Sequence, residues 1–380
     1  MRILIINYEF PPLGGGAGNA TYYLAKHLCK MGHSITVLTS AFQGLPSAGR
    51  IQGVNIFRIP VIRKRIDRCN VFEMLTFMVS ALFHCDVVVE RFKPEKVIAF
   101  FGLPCGVVAL WIKKRFKIPY ILSLRGGDVP GFLSERLYIY HLLTKPVIRL
   151  IWKHAGQVVT NSVRLKKLAR CFSPNLEIPT IPNGVDIEQY KPQITKSNGN
   201  IVKILTVGRL SQQKGIEYLL GALSILKKNG FKGNYSLEIV GDGPLRKSLE
   251  QMAKELSIDD NVIFSGWVSR RDMPKKYQSA DLFVLPSLDE GMPNAILEAM
   301  ASKLPVITTS ILRDEALIKD GYNGFFVPPK STSILFEKIT LLLRNKQLRE
   351  DMGERSIQLV KSKFLWKDVA CEYNKNLLAI

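Results

Sequence analysis

The chain has 380 residues, enough for two domains that each bury a full core, and its hydrophobic fraction of 47% is that of an ordinary globular protein. Its net charge of +21 is uneven: residues 1–185 carry 25 Lys+Arg against 9 Asp+Glu (+16), and the remainder carries 28 against 23 (+5). No apolar run approaches the ~20 residues of a bilayer-spanning helix, and six scattered Cys without a Cys-x-x-Cys pair argue for reduced thiols in a cytosol over disulfides or a structural zinc.

Met1 to Asn7 is too short for a signal peptide and reads as a first strand. Strand-like segments follow near 34–39, 54–59, 97–101, 119–124, 157–160 and 178–181, the first running over 2–8. Helical patterns fill 18–31, 71–91, 104–116, 134–153 and 162–171. Basic residues here are interleaved with large apolar ones: Arg63 to Arg68 precedes the run Val71 to Phe83, and Trp111 to Phe116 and Val147 to Trp152 repeat the mixture. A basic half suits nucleic acid, a membrane or a phosphorylated substrate. The interleaving favours an interfacial membrane surface; a core with a solvated charged face is the plainer alternative. Ile181 to Asp186 is a turn cluster, and the polar stretch 191–200 reads as a linker. The pattern then restarts, with strands near 202–207, 235–240, 262–264, 281–285, 305–308 and 324–327 and helices between them. The final stretch, Phe364 to Tyr373, is an amphipathic helix. Alternation of this kind predicts an α/β protein of two Rossmann-like, doubly wound domains facing across a deep cleft. The domains are 1–185 and 186–364, with the C-terminal helix 365–380 packing back on the first.

The most informative stretch is Glu290-Gly-Met-Pro-Asn-Ala-Ile-Leu-Glu298. Pro293 suits the first position of a helix, so Glu290 falls on the preceding loop and Glu298 within the helix. The strand Asp281 to Pro286 feeds that loop. Helix N-termini receive anions, and open α/β sheets bind ligands at this edge, so the carboxylates and the amides of Gly291 to Asn294 suit a polyol attached to a phosphate. Arg209 and Lys214 leave one loop at the same edge, a fork and a point charge for phosphate oxygens. Gly241-Asp-Gly-Pro244 leaves room for a nucleoside, and backbone in Phe264 to Val268 would read a base edge; Trp267 is expected in the core more than stacked on a base. In the first half, Gly14-Gly-Gly-Ala-Gly18 opens a helix after the first strand and lacks both the dinucleotide fingerprint and a Walker lysine. It is either a flexible loop or one that closes over an anion. Arg125 and Asp128 hold substrate or form a local ion pair that shapes a turn. The five His show no metal-ligand spacing, and no metal is expected.

Together these residues resemble glycosyltransferase family 4, retaining enzymes of the GT-B fold. The resemblance rests on Gly14 to Gly16, Gly32-His33, Pro182 to Asp186, Val207 to Leu210 with Lys214-Gly215, Gly241 to Gly243, and Glu290 to Glu298 followed by Ala299-Met-Ala301. It implies a UDP-, GDP- or ADP-sugar donor and no cofactor or catalytic metal. It also implies that Arg209 and Lys214 bind the diphosphate, Glu298 the ribose hydroxyls, and Glu290 with the backbone of Gly291, Met292, Pro293 and Asn294 the sugar. Gly15 and Gly16 would close over phosphate and acceptor, with Gly241 and Val268 on the nucleoside side. At Arg125 many members carry a His that contacts the sugar; Arg is no base at neutral pH, which leaves charge stabilisation. The expectation is transfer of a hexosyl or N-acetylhexosaminyl group to a lipid-linked saccharide, in surface polysaccharide or lipopolysaccharide assembly. The setting expected is the cytoplasm, on the anionic inner face of the plasma membrane, without nucleic acid. A nucleotide-sugar epimerase on the same plan, or a non-catalytic nucleotide-sugar or nucleic-acid binder or scaffold, are the rivals.

Overall fold

The computed structural model describes residues 1–66, 69–132, 134–192 and 201–380. Most of the linker expected at 191–200, and the end of the basic run Arg63 to Arg68, lie outside the described residues. The chain divides into two compact units, Met1–Gly184 with Trp366–Ile380, and Val185–Leu365.

In chain order the first unit contains β1 (Arg2–Ile6), α1 (Gly16–Lys30), β2 (Ser34–Ser40), β3 (Ala48–Ile51), β4 (Val54–Ile59), α2 (Val71–Phe92), β5 (Lys96–Phe100), α3 (Cys105–Phe116), β6 (Tyr120–Leu124), α4 (Ser134–His154), β7 (Gln157–Thr160) and α5 (Val163–Phe172). The strands form one sheet in the order β3-β4-β2-β1-β5-β6-β7, parallel except for β3 on β4. β1, β2, β5 and β6 read as near-continuous apolar runs because helices cover both faces. One face carries α2, α3, α4 and α5 over a core that includes Phe77, Val108, Ile151 and Leu165. The other carries α1 and the C-terminal helix over Leu24, Val37, Phe100 and Tyr373.

Two expected elements differ. The strand at 178–181 is reduced to a single bridge between Thr160 and Thr180. Pro179 and Pro182 have no N–H to donate, so pairing stops around the Thr160 amide and carbonyl. Conversely, β3 is fully exposed and carries no apolar alternation, so no burial pattern marks it. It is held by a two-residue hairpin in which Gln52 (φ 50°) and Gly53 (φ 87°) both take the left-handed conformation.

A third difference concerns α2, which is 22 residues long with a mean hydropathy of 1.6 over its most apolar window. By length and composition it could cross a membrane, contrary to the sequence expectation; 28% of that window is buried within the unit. Its start is fixed by a capping box, with Asn70 accepting from the Glu73 amide and Glu73 accepting from the Asn70 amide.

The second unit contains β8 (Ile201–Val207), α6 (Ile216–Lys228), β9 (Asn234–Val240), α7 (Arg246–Glu255), β10 (Val262–Gly266), α8 (Met273–Gln278), β11 (Leu282–Leu285), α9 (Asn294–Ala301), β12 (Val306–Thr309), β13 (Gly324–Val327), α10 (Thr332–Arg344) and α11 (Lys346–Lys363). Its sheet order is β10-β9-β8-β11-β12-β13, all parallel. Successive strands after β8 run outward one way and those after β11 the other, so the order reverses between β8 and β11. In the first unit it reverses between β1 and β5. Such switch points leave a crevice between diverging loops at the carboxyl ends of the strands.

The last element, α12 (Trp366–Ala379), belongs to the first unit. Trp366 stacks on Tyr23 with ring centroids 5.5 Å apart, and the Tyr373 hydroxyl shares a 2.7 Å hydrogen bond with Ser123 Oγ. Gly184 is required where the chain passes under this helix: a Cβ there would lie 2.7 Å from the Trp366 nitrogen. Trp366→Ala removes a nearly fully buried ring and is expected to lower stability by about 3–5 kcal/mol, measured by urea unfolding followed by far-UV circular dichroism.

Candidate functional site

In the second unit the loops after β8 and β11 are stitched together at the switch point. The Leu288 amide donates to the Gln213 carbonyl at 2.7 Å, and Gln213 Nε2 donates to the Asp289 carbonyl at 2.8 Å. Gly215 takes φ +61° with its Cα against the Pro286 carbonyl, where a Cβ would come within 2.3 Å. This brings Lys214 directly onto Glu290: Nζ pairs with Oε1, with side chains 16% and 9% exposed. The same Oε1 accepts from Ser287 Oγ at 2.8 Å. A lysine this buried with a carboxylate partner is held in place far better than a surface lysine, whose ion pairs contribute little. Arg209, two residues beyond β8, is exposed and has no ion-pair partner among the described residues. One fixed and one unengaged cation therefore leave the same loop.

The neighbouring loops interlock through glycines. Gly208 donates to the Val240 carbonyl at 3.0 Å, Gly241 to the Gly266 carbonyl at 2.8 Å, and Leu210 to the Asp242 carbonyl at 3.0 Å. A Cβ on Gly241 would lie 2.0 Å from the Gly208 carbonyl oxygen, so that position admits only glycine. Val268 is half-buried against the core, whereas Trp267 is 63% exposed. The expectation that Trp267 is a core residue is thus overturned: it follows the last residue of β10, where the chain has left the sheet.

Glu290 and Glu298 do not meet the same partners. α9 begins at Asn294 with Pro293 as its extended N-cap (φ −77°, ψ 111°), one residue later than expected. Gly291, Met292 and Pro293 are buried and Asn294 half-buried along the connection. Glu298 turns toward α8, where Oε2 accepts from the Tyr277 hydroxyl at 2.8 Å. Tyr190, packed edge-on against Tyr277, hydrogen-bonds it as well. Burial pushes the Glu298 carboxyl up to about 7, against the opposing effect of both tyrosines and of Arg270.

In the first unit the loop after β1 is shaped by a residue the sequence did not single out. Glu9 lies under the glycine loop, with Oε2 3.3 Å from the Gly15 amide. A Cβ on Gly14 (φ +83°) would strike its carboxylate. Burial raises the Glu9 carboxyl, opposed by Arg63 and the Gly15 amide. Arg63 itself donates to the Tyr8, Arg65 and Ile66 carbonyls and holds the facing loop. Gly15 caps α1 and Gly16 is its first residue. After β6, Arg125 and Asp128 do not pair through their side chains as the turn-shaping alternative required. Asp128, 4% exposed, accepts from the amides of Gly102, Arg125 and Gly126 at 2.8–3.0 Å, yet burial still raises its carboxyl. The Arg125 guanidinium instead lies 4.4 Å over the Phe100 ring and donates to Asn183 Oδ1 at 2.6 Å and the Tyr373 hydroxyl at 3.0 Å. Among the described residues no group of three or more His, Cys, Asp or Glu has metal-binding geometry.

Two Rossmann-like sheets, parallel apart from β3, each with its switch-point loops built this way, define the GT-B fold. Family models for Glyco_transf_4 (Glycosyltransferase Family 4) and Glycos_transf_1 (Glycosyl transferases group 1) match residues 14–189 and 187–359. The chain belongs to this glycosyltransferase family. It is 28% identical to an uncharacterized glycosyltransferase of Methanocaldococcus jannaschii, over 98% of this chain and 96% of that one. Over 40% of this chain and 41% of the relative it is 35% identical to an Escherichia coli UDP-Gal:α-D-GlcNAc-diphosphoundecaprenol α-1,3-galactosyltransferase. The structure of HepE from Anabaena in complex with UDP and glucose superposes with a TM-score of 0.77 at 19% identity, covering 100% of both chains.

Glu298 yields a pH prediction. Its folded carboxyl titrates at about 7 against an ordinary 4.5, so the folded state holds this proton more tightly than the unfolded chain. The resulting stabilisation is complete below about 4.5 and is lost as pH rises to 7. Glu298→Gln is expected to remove a fall on the order of 2–3 kcal/mol between pH 5 and 7.5, read from urea midpoints of both proteins across that range.

Proposed function

We propose that the protein is a retaining glycosyltransferase that moves a hexosyl or N-acetylhexosaminyl group from a UDP-, GDP- or ADP-sugar to a hydroxyl of a lipid-linked saccharide. It would serve surface polysaccharide or lipopolysaccharide assembly at the inner face of the plasma membrane. The observation that carries this reading is the Lys214–Glu290–Ser287 cluster beside exposed Arg209 at the β8/β11 switch point. The UDP and glucose held by the Anabaena neighbour and the diphosphoundecaprenol in the E. coli relative's name support the donor and acceptor classes.

In this reading Arg209 and Lys214 meet the donor diphosphate, so no bound metal is needed to offset its charge. Glu290 with the backbone from Gly291 to Asn294 holds the sugar, and Glu298 accepts from the ribose hydroxyls. Gly241 and Val268 border the nucleoside, while Gly15, Gly16 and Arg125 serve phosphate and acceptor. Asp128 contributes by fixing the turn that carries Arg125. The bond between the anomeric carbon and the phosphate oxygen breaks with its electron pair leaving on the nucleoside diphosphate. The acceptor oxygen bonds to the same face of that carbon, and its proton passes to the departing phosphate oxygen. Charge developing on the phosphate is what the two cations stabilise, and loss of one such group costs about 10²–10³ in rate.

Arg209→Ala is therefore expected to lose at least about 100-fold in kcat with folding intact; more than about a tenth of wild-type activity would contradict the assignment. Donor class is read by thermal unfolding with UDP-, GDP- and ADP-sugars. Ligand at 100 times Kd adds about 2.7 kcal/mol, and a shift confined to one nucleotide series, lost in Glu298→Ala, is the expected result. Turnover of the donor sugar without acceptor would instead indicate an epimerase.

A further inference from the structure

α2 is apolar on two opposite sides. Its inner stripe, Phe77, Ala81, Cys85 and Val88, is built into the core of the first unit. The outer stripe, on the opposite side of the helix, is uncovered: Phe72 is 61%, Val79 48% and Phe83 82% exposed. An all-round apolar helix is normally buried, so this face lacks a partner. α3 packs against both α2 and α4 on the same side of the sheet, and α4 adds Ile139 (71%), Leu142 (58%) and Leu143 (74%). Of the 23 exposed large hydrophobic residues described, 12 lie on these two helices, a concentration beyond the usual scatter of single exposed residues.

The charges beside it select the occupant. Lys145, Arg149 and Lys153 recur along α4, and Lys114, Arg115 and Lys117 close α3; all six are exposed. Among the described residues Arg115 alone of these is offset, by Asp86 at 2.7 Å. A second copy of the chain would bring two such basic surfaces together, whereas anionic lipid would neutralise them. We propose that the outward faces of α2 and α4 form a docking surface for an anionic bilayer, with Phe72, Val79, Phe83, Ile139, Leu142 and Leu143 entering the acyl boundary and the α3 and α4 cations meeting headgroups. α2 lies along the membrane and does not cross it, because its inner stripe is occupied by the core. The inference deepens the membrane part of the proposed function and stands or falls separately from the transfer chemistry.

The test is flotation of the full chain with vesicles of phosphatidylcholine alone or with 30% phosphatidylglycerol, free of saccharide and nucleotide. Wild type is expected to float with the anionic vesicles, less so as salt rises. The double variant Phe83→Ser/Leu143→Ser is expected to lose about tenfold or more in partition, and Lys145→Glu/Arg149→Glu a similar amount together with most of the salt dependence. Both keep the wild-type Tm and the wild-type thermal shift with nucleotide sugar, so a fault in the transferase reading shows in the second readout only. Wild type that stays unbound to anionic vesicles at low salt overturns the proposal, as does undiminished flotation of Phe83→Ser/Leu143→Ser. A dimer in light scattering that this variant dissociates without changing flotation would reassign the face to self-association.

Discussion

The buried pairing of Lys214 with Glu290 is the constraint on which the second unit's site depends. It joins the loop after β8 to the loop after β11 where the sheet order reverses, and it is reinforced by Ser287 and by backbone bonds between the same loops. A buried charge left without its partner costs about 3–5 kcal/mol, so neither loop can relax independently. The pair also sets a division between the two cations of the loop. Lys214 is positioned before any ligand arrives, while Arg209 keeps its freedom and its hydration. Preorganised charge of the first kind is what stabilises a developing anion most effectively.

Much of this was legible in the sequence because parallel α/β units write themselves plainly. Buried strands are unbroken apolar runs, helices between them carry the 3.6 period, and switch-point loops gather Gly, Pro and charge. Glu290, Glu298, Arg209 and Lys214 stand out on that ground. What stayed hidden is side-chain direction. Nothing in the spacing tells that Glu290 turns to Lys214 whereas Glu298 turns to Tyr277 and Tyr190. Glu9 and Ser287 are single polar residues whose roles come from what lies close by in space, the Gly15 amide for the first and the Glu290 carboxylate for the second. β3 escaped because an exposed edge strand has no burial pattern to show, and the membrane-like hydropathy of α2 because Glu73, Asp86 and Glu90 interrupt its apolar run.

Arg125 illustrates how a single charged residue acquires meaning from its surroundings. Its guanidinium lies over the Phe100 ring and bridges Asn183 to Tyr373. It therefore connects the end of β6, the segment leading out of the first unit, and the helix that returns to it. A neutral imidazole at this place could not donate along both arms at once. The charge is thus tied to the frame of the unit.

The first unit is discontinuous in sequence. The chain leaves it at Gly184 and re-enters at Trp366, and at that crossing Val185 bridges Leu365. The second unit thus has its two ends side by side, as an inserted domain does, and its contacts lie within one continuous stretch. The first unit cannot complete the core under α1 until everything between has been synthesised, since Trp366, Val369, Tyr373 and Leu377 belong to that core. On a ribosome the order of maturation is then reversed relative to the order of synthesis. The unit made first stays open along one face, with Leu24 and Val37 awaiting cover, while the unit made second is able to close ahead of it.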